Sequence, residues 1–321
     1  MRIGINFSNT TMIDSIEPVL ESARQCDADG FSSWWLPQSG FLDALTVFAA
    51  VADAAPRIEL GTAVIPTWLY PPHTLAAKAL TTAALIGDRL TLGVGLSHEA
   101  VVEKRLRMKW QRPVRHAIDY LSVLNPMLDE GKVDYDGEIH AANGRYAMFT
   151  DHRPSVLLGA LGPQMLTVAG QRADGTITWL TGPKTLADHI VPTISRVAAE
   201  AGRSAPRVVA SLIVTVTDDE AAVRERHGTN LSGYGSLPSY RAMLDREGAS
   251  DPGQICIVGT EERVREQLAR LAAAGVTDFA AVEVGTNPEE KQRTRALLKS
   301  EATKAADTGA STSAPTSEDQ P

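Results

Sequence analysis

The stretch from residue 58 to residue 98 constrains the fold more than any other part of the chain. It contains two short apolar runs, 58–64 and 90–96, on either side of an amphipathic segment. Pro72 suits the first turn of a helix, where its missing N–H costs nothing, and Gly87 suits the end of that helix. The pattern therefore predicts a strand, a helix and a second strand, which together form a βαβ unit.

The same alternation recurs along the chain. Strands are predicted at residues 2–7, 31–36, 58–64, 90–96, 156–160, 175–180, 208–216 and 279–284, with helical patterns between them and a polar excursion at 131–150. Near-continuous apolar strands are typical of a parallel sheet buried on both faces. Eight such units predict an α/β fold, a (β/α)8 TIM-type barrel, with an open doubly wound sheet as the competing architecture.

Length and composition fit a single domain of this kind. The chain has 321 residues, of which 43% are hydrophobic, and this is enough material for one barrel core. One domain is therefore expected over residues 1–300. After Ser300 the sequence is dominated by Ala, Thr, Ser, Pro and acidic residues, and this predicts a disordered tail over 301–321.

Charge and cysteine content limit the partners. Acidic residues outnumber basic ones by 39 to 31, which disfavours nucleic acid because phosphate binding needs a basic surface. The apolar runs are too short to span a membrane, and the N-terminal residues lack a secretory pattern. Cys26 and Cys256 lie far apart, so neither a disulfide framework nor a metal site is indicated. A cytoplasmic protein with a small-molecule substrate is expected, and a homodimer is left open.

Five segments carry a resemblance to a known family. They are GFSSWWLPQ at 30–38, LGTAVIPT at 60–67, DRLTLGVG at 88–95, LGALGPQMLTVAGQRADG at 158–175 and VGTEERVREQLARLAAAGVTDF at 258–279. Their order and spacing resemble the bacterial-luciferase-like oxidoreductases, specifically the branch that uses coenzyme F420 and is similar to methylenetetrahydromethanopterin reductase. The resemblance implies a luciferase-like barrel and hydride transfer between the deazaflavin and a small organic substrate. FMN is the alternative cofactor, in a monooxygenase or reductase, because it shares the ribityl phosphate.

The resemblance also implies which residues bind the cofactor. Ala63 and Val64 match a bulge with a cis peptide behind the cofactor ring. Two glycine turns match the surroundings of the phosphate, and a turn that opens a helix aims free N–H groups at an anion. The implied cofactor-binding residues are Gln38, Thr62, Ala63, Val64, Gly95, Leu96, Ser97, Leu161, Gly162, Pro163, Gln164, Thr181 and Gly182.

The sequence departs from the family at one catalytic position. Many relatives carry an Asp-His pair after the second strand, and this chain has Gln38 and Ser39 there. Neither side chain transfers protons near neutral pH as histidine does, so the family's acid/base assignment is not carried over. His98, at the carboxyl end of the fourth strand, is the candidate catalytic residue. A solvent-exposed histidine at a helix start is the equally weighted alternative.

The sequence also allows other interpretations of its function and of its aromatic residues. Ser97, two residues after Gly95, resembles a nucleophile elbow and suggests a serine hydrolase, although the last histidine is His227. Loss of the Asp-His pair also suits a paralogue that binds the cofactor without turnover. Two aromatic groups are interpreted either as pocket walls or as loop packing: Trp68, Tyr70 and His73, and Tyr234 and Tyr240.

Overall fold

Eight parallel strands close into a barrel in the computed structural model, which describes residues 1–8, 10–11 and 13–312, with side chains to residue 307. Each strand pairs with its neighbours in sequence order, and β8 pairs with β1 to complete the ring. The open doubly wound sheet is thereby excluded. The strands are β1 Arg2–Asn6, β2 Ser33–Leu36, β3 Glu59–Thr62, β4 Leu90–Gly95, β5 Ser155–Gly159, β6 Gly175–Trp179, β7 Arg207–Val216 and β8 Asp278–Glu283.

Helices cover the outside of the barrel. Proline occupies the first turn of several of them, as its fixed φ favours. No helix among the described residues combines the length and apolar character needed to cross a membrane. The main helices are α1 Glu17–Ala28, α2 Ala44–Val51, α3 Pro72–Ile86, α4 Pro113–Glu130, α5 Pro163–Arg172, α6 Val191–Glu200, α7 Glu261–Ala273 and α8 Pro288–Thr312.

Shorter helical segments lie in the loops. Two π-helical turns, Val101–Arg105 and Leu186–Ile190, follow β4 and β6, and the latter continues the short helix Pro183–Thr185. The connection between β7 and α7 is the longest. It contains the helices Glu220–Asn230, Ser232–Gly235 and Pro238–Glu247, the 3₁₀ turn Pro252–Ile255 and the short strand Ile257–Gly259.

The third strand is shorter than its apolar run predicts. Pairing with β2 stops at Thr62, and a separate short strand, Ile65–Pro66, pairs with β4. The two residues between them, Ala63 and Val64, form a bulge at the carboxyl end of the barrel. The peptide bond that joins Ala63 to Val64 is cis, which confirms the prediction made from the family motif.

Two other segments differ from the sequence-based expectation. The polar excursion contains an antiparallel hairpin, Lys132–Asp136 with Ala141–Arg145, whose exposed strands lack an apolar run. The boundary predicted at residue 300 falls inside α8, which continues to Thr312. An alanine-rich segment suits a helix even without apolar periodicity. The remainder of the predicted tail, 313–321, lies outside the described residues.

An ion-pair network closes the amino-terminal end of the barrel. Arg207, at the start of β7, contacts Glu59 on β3 at 2.9 Å and Asp278 on β8 at 2.9 Å. Arg2 on β1 pairs with the same two carboxylates. In a (β/α)8 barrel this end contributes to stability, and the site lies at the opposite end. The functional site is therefore expected at the carboxyl ends of the strands.

Candidate functional site

The floor of the site is a buried apolar layer inside the barrel. It consists of Trp35, Leu157, Ile177, Val209 and Ala280, and Ala63 and Val64 pack against it from the carboxyl side. A hydrogen bond of 2.8 Å from the indole Nε1 of Trp35 to Ser33 Oγ holds this fully buried ring. We call the bulge that lies on this layer the Ala63–Val64 platform.

Glycines on β4 let the platform approach that strand. A Cβ atom on Gly93 would lie 2.0 Å from the carbonyl oxygen of Thr62, and one on Gly95 would lie 2.7 Å from Cγ2 of Val64. The hydroxyl of Thr62 donates to the Gly93 carbonyl oxygen at 2.7 Å. Contacts with Thr62 and Val64 therefore require glycine at both positions of β4, independently of any ligand binding.

Gln38 is buried beside the platform and its side chain is fixed at both ends. Its Nε2 donates to the Tyr70 hydroxyl at 2.9 Å, and its Oε1 accepts from the Ala44 N–H at 3.3 Å. Its own N–H donates to the Val64 carbonyl oxygen at 3.3 Å. Ser39 shares a hydrogen bond with Thr10. These contacts assign Gln38 to the rigid support of the platform and provide no group that titrates near neutrality.

The turn after β4 brings His98 into an aromatic cluster. Ser97 has a positive φ of 62°, and the carbonyl of His98 accepts from the N–H groups of Val101 and Val102. The imidazole packs edge-on against Tyr240 and Tyr234, at centroid distances of 5.7 and 6.0 Å. Burial lowers the pKa of His98 below its usual 6.5, which favours the neutral imidazole. The histidine is half-buried rather than solvent-exposed.

The same cluster includes a residue that sequence reasoning did not single out. Trp179 ends β6 and packs edge-on against Tyr234 at 6.3 Å, and Tyr234 contacts Tyr240 at 5.1 Å. Four rings thus connect the carboxyl ends of β4 and β6 to the long connection after β7. A tryptophan as the last residue of a barrel strand is the sequence signal that could have identified it.

The turn after β5 opens α5 without a side-chain cap. Gly162 is the N-cap residue, and a Cβ atom added to it would meet no other atom within 4 Å. Leu161 and Pro163 flank it. Gln164 lines a shallow groove of about 420 Å³ together with Arg112, Pro113, Val114, Arg115 and Ile118. The first N–H groups of a helix point along its axis toward the preceding turn, which favours an anion there.

The turn after β6 is different because a side chain of the protein accepts hydrogen bonds from its N–H groups. The Glu247 carboxylate accepts from the N–H groups of Lys184 and Thr185 at 3.2 and 2.7 Å, and from the Thr185 hydroxyl at 2.7 Å. Gly182 lies against this carboxylate, and Thr181 is buried. The Lys184 and Thr185 amides are therefore not available to a phosphate. Thr181 and Gly182 do follow the carboxyl end of β6, as predicted.

The aromatic residues after β3 pack against the protein. Trp68 stacks on His116 at a centroid distance of 4.0 Å, and His73 meets Tyr146 at 5.0 Å. Tyr70 bonds to Gln38, as described above. The packing interpretation of these residues is thus supported by contacts to α4, to Tyr146 just after the hairpin, and to Gln38.

A histidine pair near this loop, of which His116 is buried and His140 is half-buried, was missed from the sequence. His116 on α4 lies 2.9 Å from Thr67 Oγ1 through Nε2, and its Nδ1 lies 3.3 Å from His140 Nε2. Burial, with a further contribution from His140, lowers the pKa of His116 to about 4. The two histidines are 24 residues apart, so no local motif signals the pair.

A serine nucleophile is not supported by the contacts of Ser97. Its backbone has the positive φ of a nucleophile elbow, yet no histidine or carboxylate hydrogen-bonds its hydroxyl among the described residues. The neighbouring imidazole of His98 packs against tyrosines instead. The geometry therefore defines a (β/α)8 barrel with its candidate site on the carboxyl face, built on a bulged third strand.

Comparison with known proteins gives the family. The family model described as luciferase-like monooxygenase matches residues 1–278, and the chain belongs to this family. It is accordingly an enzyme, an oxidoreductase of the luciferase-like class. The platform and the glycine turns lie within the matched residues.

Individual relatives agree with this assignment. The chain is 24% identical over 317 residues to a 5,10-methylenetetrahydromethanopterin reductase of Archaeoglobus fulgidus, covering 88% of this chain and 93% of that protein. Its fold is similar to the coenzyme F420-dependent tetrahydromethanopterin reductase of Methanopyrus kandleri, with a TM-score of 0.77, 21% identity, and 95% and 99% of the two chains covered.

A flavin enzyme has a similar fold. The oxygenating constituent of 3,6-diketocamphane monooxygenase from a Pseudomonas putida plasmid, solved in complex with FMN, gives a TM-score of 0.72 at 16% identity. The alignment covers 94% of this chain and 98% of that one. The fold is therefore found in both deazaflavin and flavin enzymes.

Proposed function

We propose that this protein is an F420-dependent oxidoreductase that transfers a hydride between the deazaflavin and a small organic substrate. One observation carries the proposal: the uncapped N-terminus of α5 opens at Gly162 on the same barrel face as the Ala63–Val64 platform. A ring surface and an anion-binding turn on one face suit a planar cofactor with a phosphate. The similarity to an F420-dependent reductase supports the deazaflavin as the cofactor.

The platform is the surface that we assign to the cofactor ring. When bound, the deazaflavin supplies the hydride chemistry, and the protein orients it. Ala63 and Val64 present small apolar side chains on a floor fixed by Trp35. Gln38 and Thr62 hold the platform through hydrogen bonds to Tyr70 and the Gly93 carbonyl. A rigid backing of this kind restricts the ring to one exposed face for the substrate.

The phosphate is assigned to two turns. Leu161, Gly162, Pro163 and Gln164 provide the start of α5, where no side chain in the described part of the chain competes with an anion for the first N–H groups. Gly95, Leu96 and Ser97 form the neighbouring turn after β4. Thr181 and Gly182 stay predicted contacts at the rim, but Glu247 already occupies the helix start beside them.

Proton transfer is assigned to His98. Its half-buried imidazole, whose neutral form is favoured because burial lowers its pKa, is suited to accept a proton near neutral pH. The tyrosine contacts fix the ring at the carboxyl end of β4 without charging it. Gln38 and Ser39 cannot supply this function, as argued from the sequence.

FMN is the second candidate cofactor because the turns described above recognise a phosphate, which both cofactors carry. The similarity to an FMN-bound monooxygenase supports this alternative. A paralogue that binds the cofactor without turnover also fits the missing Asp-His pair. Cytoplasmic location and a homodimer stay predictions.

Turnover tests the proposal. Purified protein is mixed with chemically reduced F420 and a panel of small carbonyl and imine compounds, and reoxidation is followed by deazaflavin absorbance. Reoxidation that needs both protein and one substrate class is expected. The matched control is Gly162→Asp, which should lose the activity. Binding of F420 with no turnover on any substrate would favour the paralogue, and turnover only with reduced FMN would replace the deazaflavin.

A further inference from the structure

A buried histidine holds the turn that opens α5. His189 lies on the π-helical turn Leu186–Ile190 and is 7% exposed. Its Nε2 lies 2.9 Å from the carbonyl oxygen of Leu161. Since a carbonyl only accepts hydrogen bonds, Nε2 must carry the hydrogen. The contact joins the loops that follow β5 and β6.

This contact fixes the direction of the Gly162 N–H. Leu161 C=O and Gly162 N–H belong to one planar trans peptide, in which the two bonds point in opposite directions. A carbonyl held toward His189 therefore aims the Gly162 N–H away from His189. Among the described residues no protein acceptor hydrogen-bonds this N–H, and a Cβ atom at Gly162 would meet nothing within 4 Å.

The next helix start along the barrel shows the opposite arrangement. There the Glu247 carboxylate satisfies the amides of Lys184 and Thr185. At α5 none of the described residues supplies such a carboxylate, and His189 fixes the preceding peptide instead. A peptide whose carbonyl is anchored and whose N–H has no acceptor in the protein is oriented for an external acceptor.

We propose that His189 is a positioning residue that aims the Gly162 N–H at the cofactor phosphate. It acts through the Leu161–Gly162 peptide and touches neither the cofactor nor the substrate. This inference rests on the proposed function, and it extends it by assigning the orientation of the phosphate-binding peptide to a side chain on the loop after β6. The ligand that the Gly162 N–H would bind is a phosphate monoester or diester on a deazaflavin or flavin.

Two substitutions separate positioning from packing. His189→Phe keeps the ring volume but removes the donor, so the peptide is free to rotate, and we expect F420 affinity to fall about tenfold. His189→Gln places an amide N–H near the position of Nε2 and should restore most of that affinity. Thermal unfolding of each variant checks the fold.

A matched ligand isolates the phosphate. Each protein is titrated with F420 and with the corresponding deazaflavin alcohol that lacks the phosphate. We expect His189→Phe to weaken only F420 binding, whereas equal weakening of both ligands would show a structural role and overturn the inference. Wild-type protein that binds neither ligand would overturn the proposed function with it. Wild-type binding that is unchanged in His189→Phe would overturn the inference alone.

A direct readout does not depend on how His189→Phe folds. In protein labelled with ¹⁵N-glycine, the Gly162 amide resonance is assigned by its disappearance in Gly162→Ala. F420 should shift this resonance strongly downfield, as expected for a new charge-assisted hydrogen bond, and the phosphate-free alcohol should not. An equal shift with both ligands, or no shift with F420, would contradict the role given to this peptide.

Discussion

Gly61 and Trp35 are in such close contact that the glycine cannot carry a side chain. A Cβ atom at Gly61 would lie 2.3 Å from Cε3 and 2.4 Å from Cζ3 of the indole. The indole is fully buried in the layer that supports Ala63 and Val64. The position of the platform thus depends on the absence of a side chain at Gly61 on β3, where the Trp35 indole packs.

Gly61→Ala should therefore destabilise the protein. The added methyl group must displace a ring that has no space to move, and overpacking of this kind costs about 1–3 kcal/mol. Urea denaturation measures the change. Gly233→Ala is the matched control because a Cβ atom at Gly233 meets nothing within 4 Å, and its stability should be unchanged or slightly higher. Equal stability of Gly61→Ala and wild type would contradict the packing described for Trp35.

Gly162→Asp should separate stability from cofactor binding. Aspartate is a better N-cap than glycine by a few tenths of a kcal/mol, so the melting temperature should stay the same or rise. Its carboxylate would stand where we place the phosphate, and like charges repel, so F420 affinity should fall more than tenfold. Gly162→Asn adds similar bulk and a similar cap without the charge. If Asp and Asn bind F420 equally well, the phosphate does not lie at this turn.

The stability of the protein should fall as the pH drops from about 6.5 toward 4. Burial lowers the pKa of His116 to about 4, so in this range the unfolded chain binds a proton that the folded chain does not. The stabilisation is present above pH 6.5 and is lost as the pH falls. Burial also lowers the pKa of His140, and Asp119 opposes both shifts. Unfolding free energies of His116→Gln should show a smaller pH slope, and an unchanged slope would show that other groups cause it.

The acid limb of the pH–rate profile should belong to His98. Because burial lowers its pKa below 6.5, the neutral imidazole persists into mildly acidic solution, and activity should decline only below that range. His98→Gln should reduce kcat/KM by about 10²–10⁴-fold and remove this limb. Tyr234→Phe keeps the ring contact and serves as the control. A His98→Gln enzyme with normal rates would return the residue to a packing role.

The barrel could be predicted from the sequence because each strand carries its own local signal. The run at 90–96 is mostly apolar and contains two glycines, and Pro72 and Gly87 mark the helix before it. The bulge at Ala63 was identified from the family motif. It could not have been found from periodicity, which predicts an unbroken strand to Val64.

The site could be predicted only in part, since its decisive contacts join distant residues. His189 and Leu161 are 28 residues apart, and Glu247 and Thr185 are 62 apart. Nothing near Gly182 in the sequence reveals that the Glu247 carboxylate accepts hydrogen bonds from the first N–H groups of the helix after it. The family motif places Gly95 in a turn near the phosphate, but it does not show that Gly93 and Gly95 are crowded by Thr62 and Val64. The side chain that crowds a glycine is visible only in three dimensions.

The central claim is that the carboxyl face of this barrel binds F420, and a parallel titration tests it most directly. Purified protein is titrated with F420 and with FMN, and the cofactor fluorescence is recorded at each step. We predict saturable binding of F420, weaker binding of FMN, and loss of F420 binding in Gly162→Asp. Preferential binding of FMN, or binding of neither cofactor by folded protein, would contradict the account.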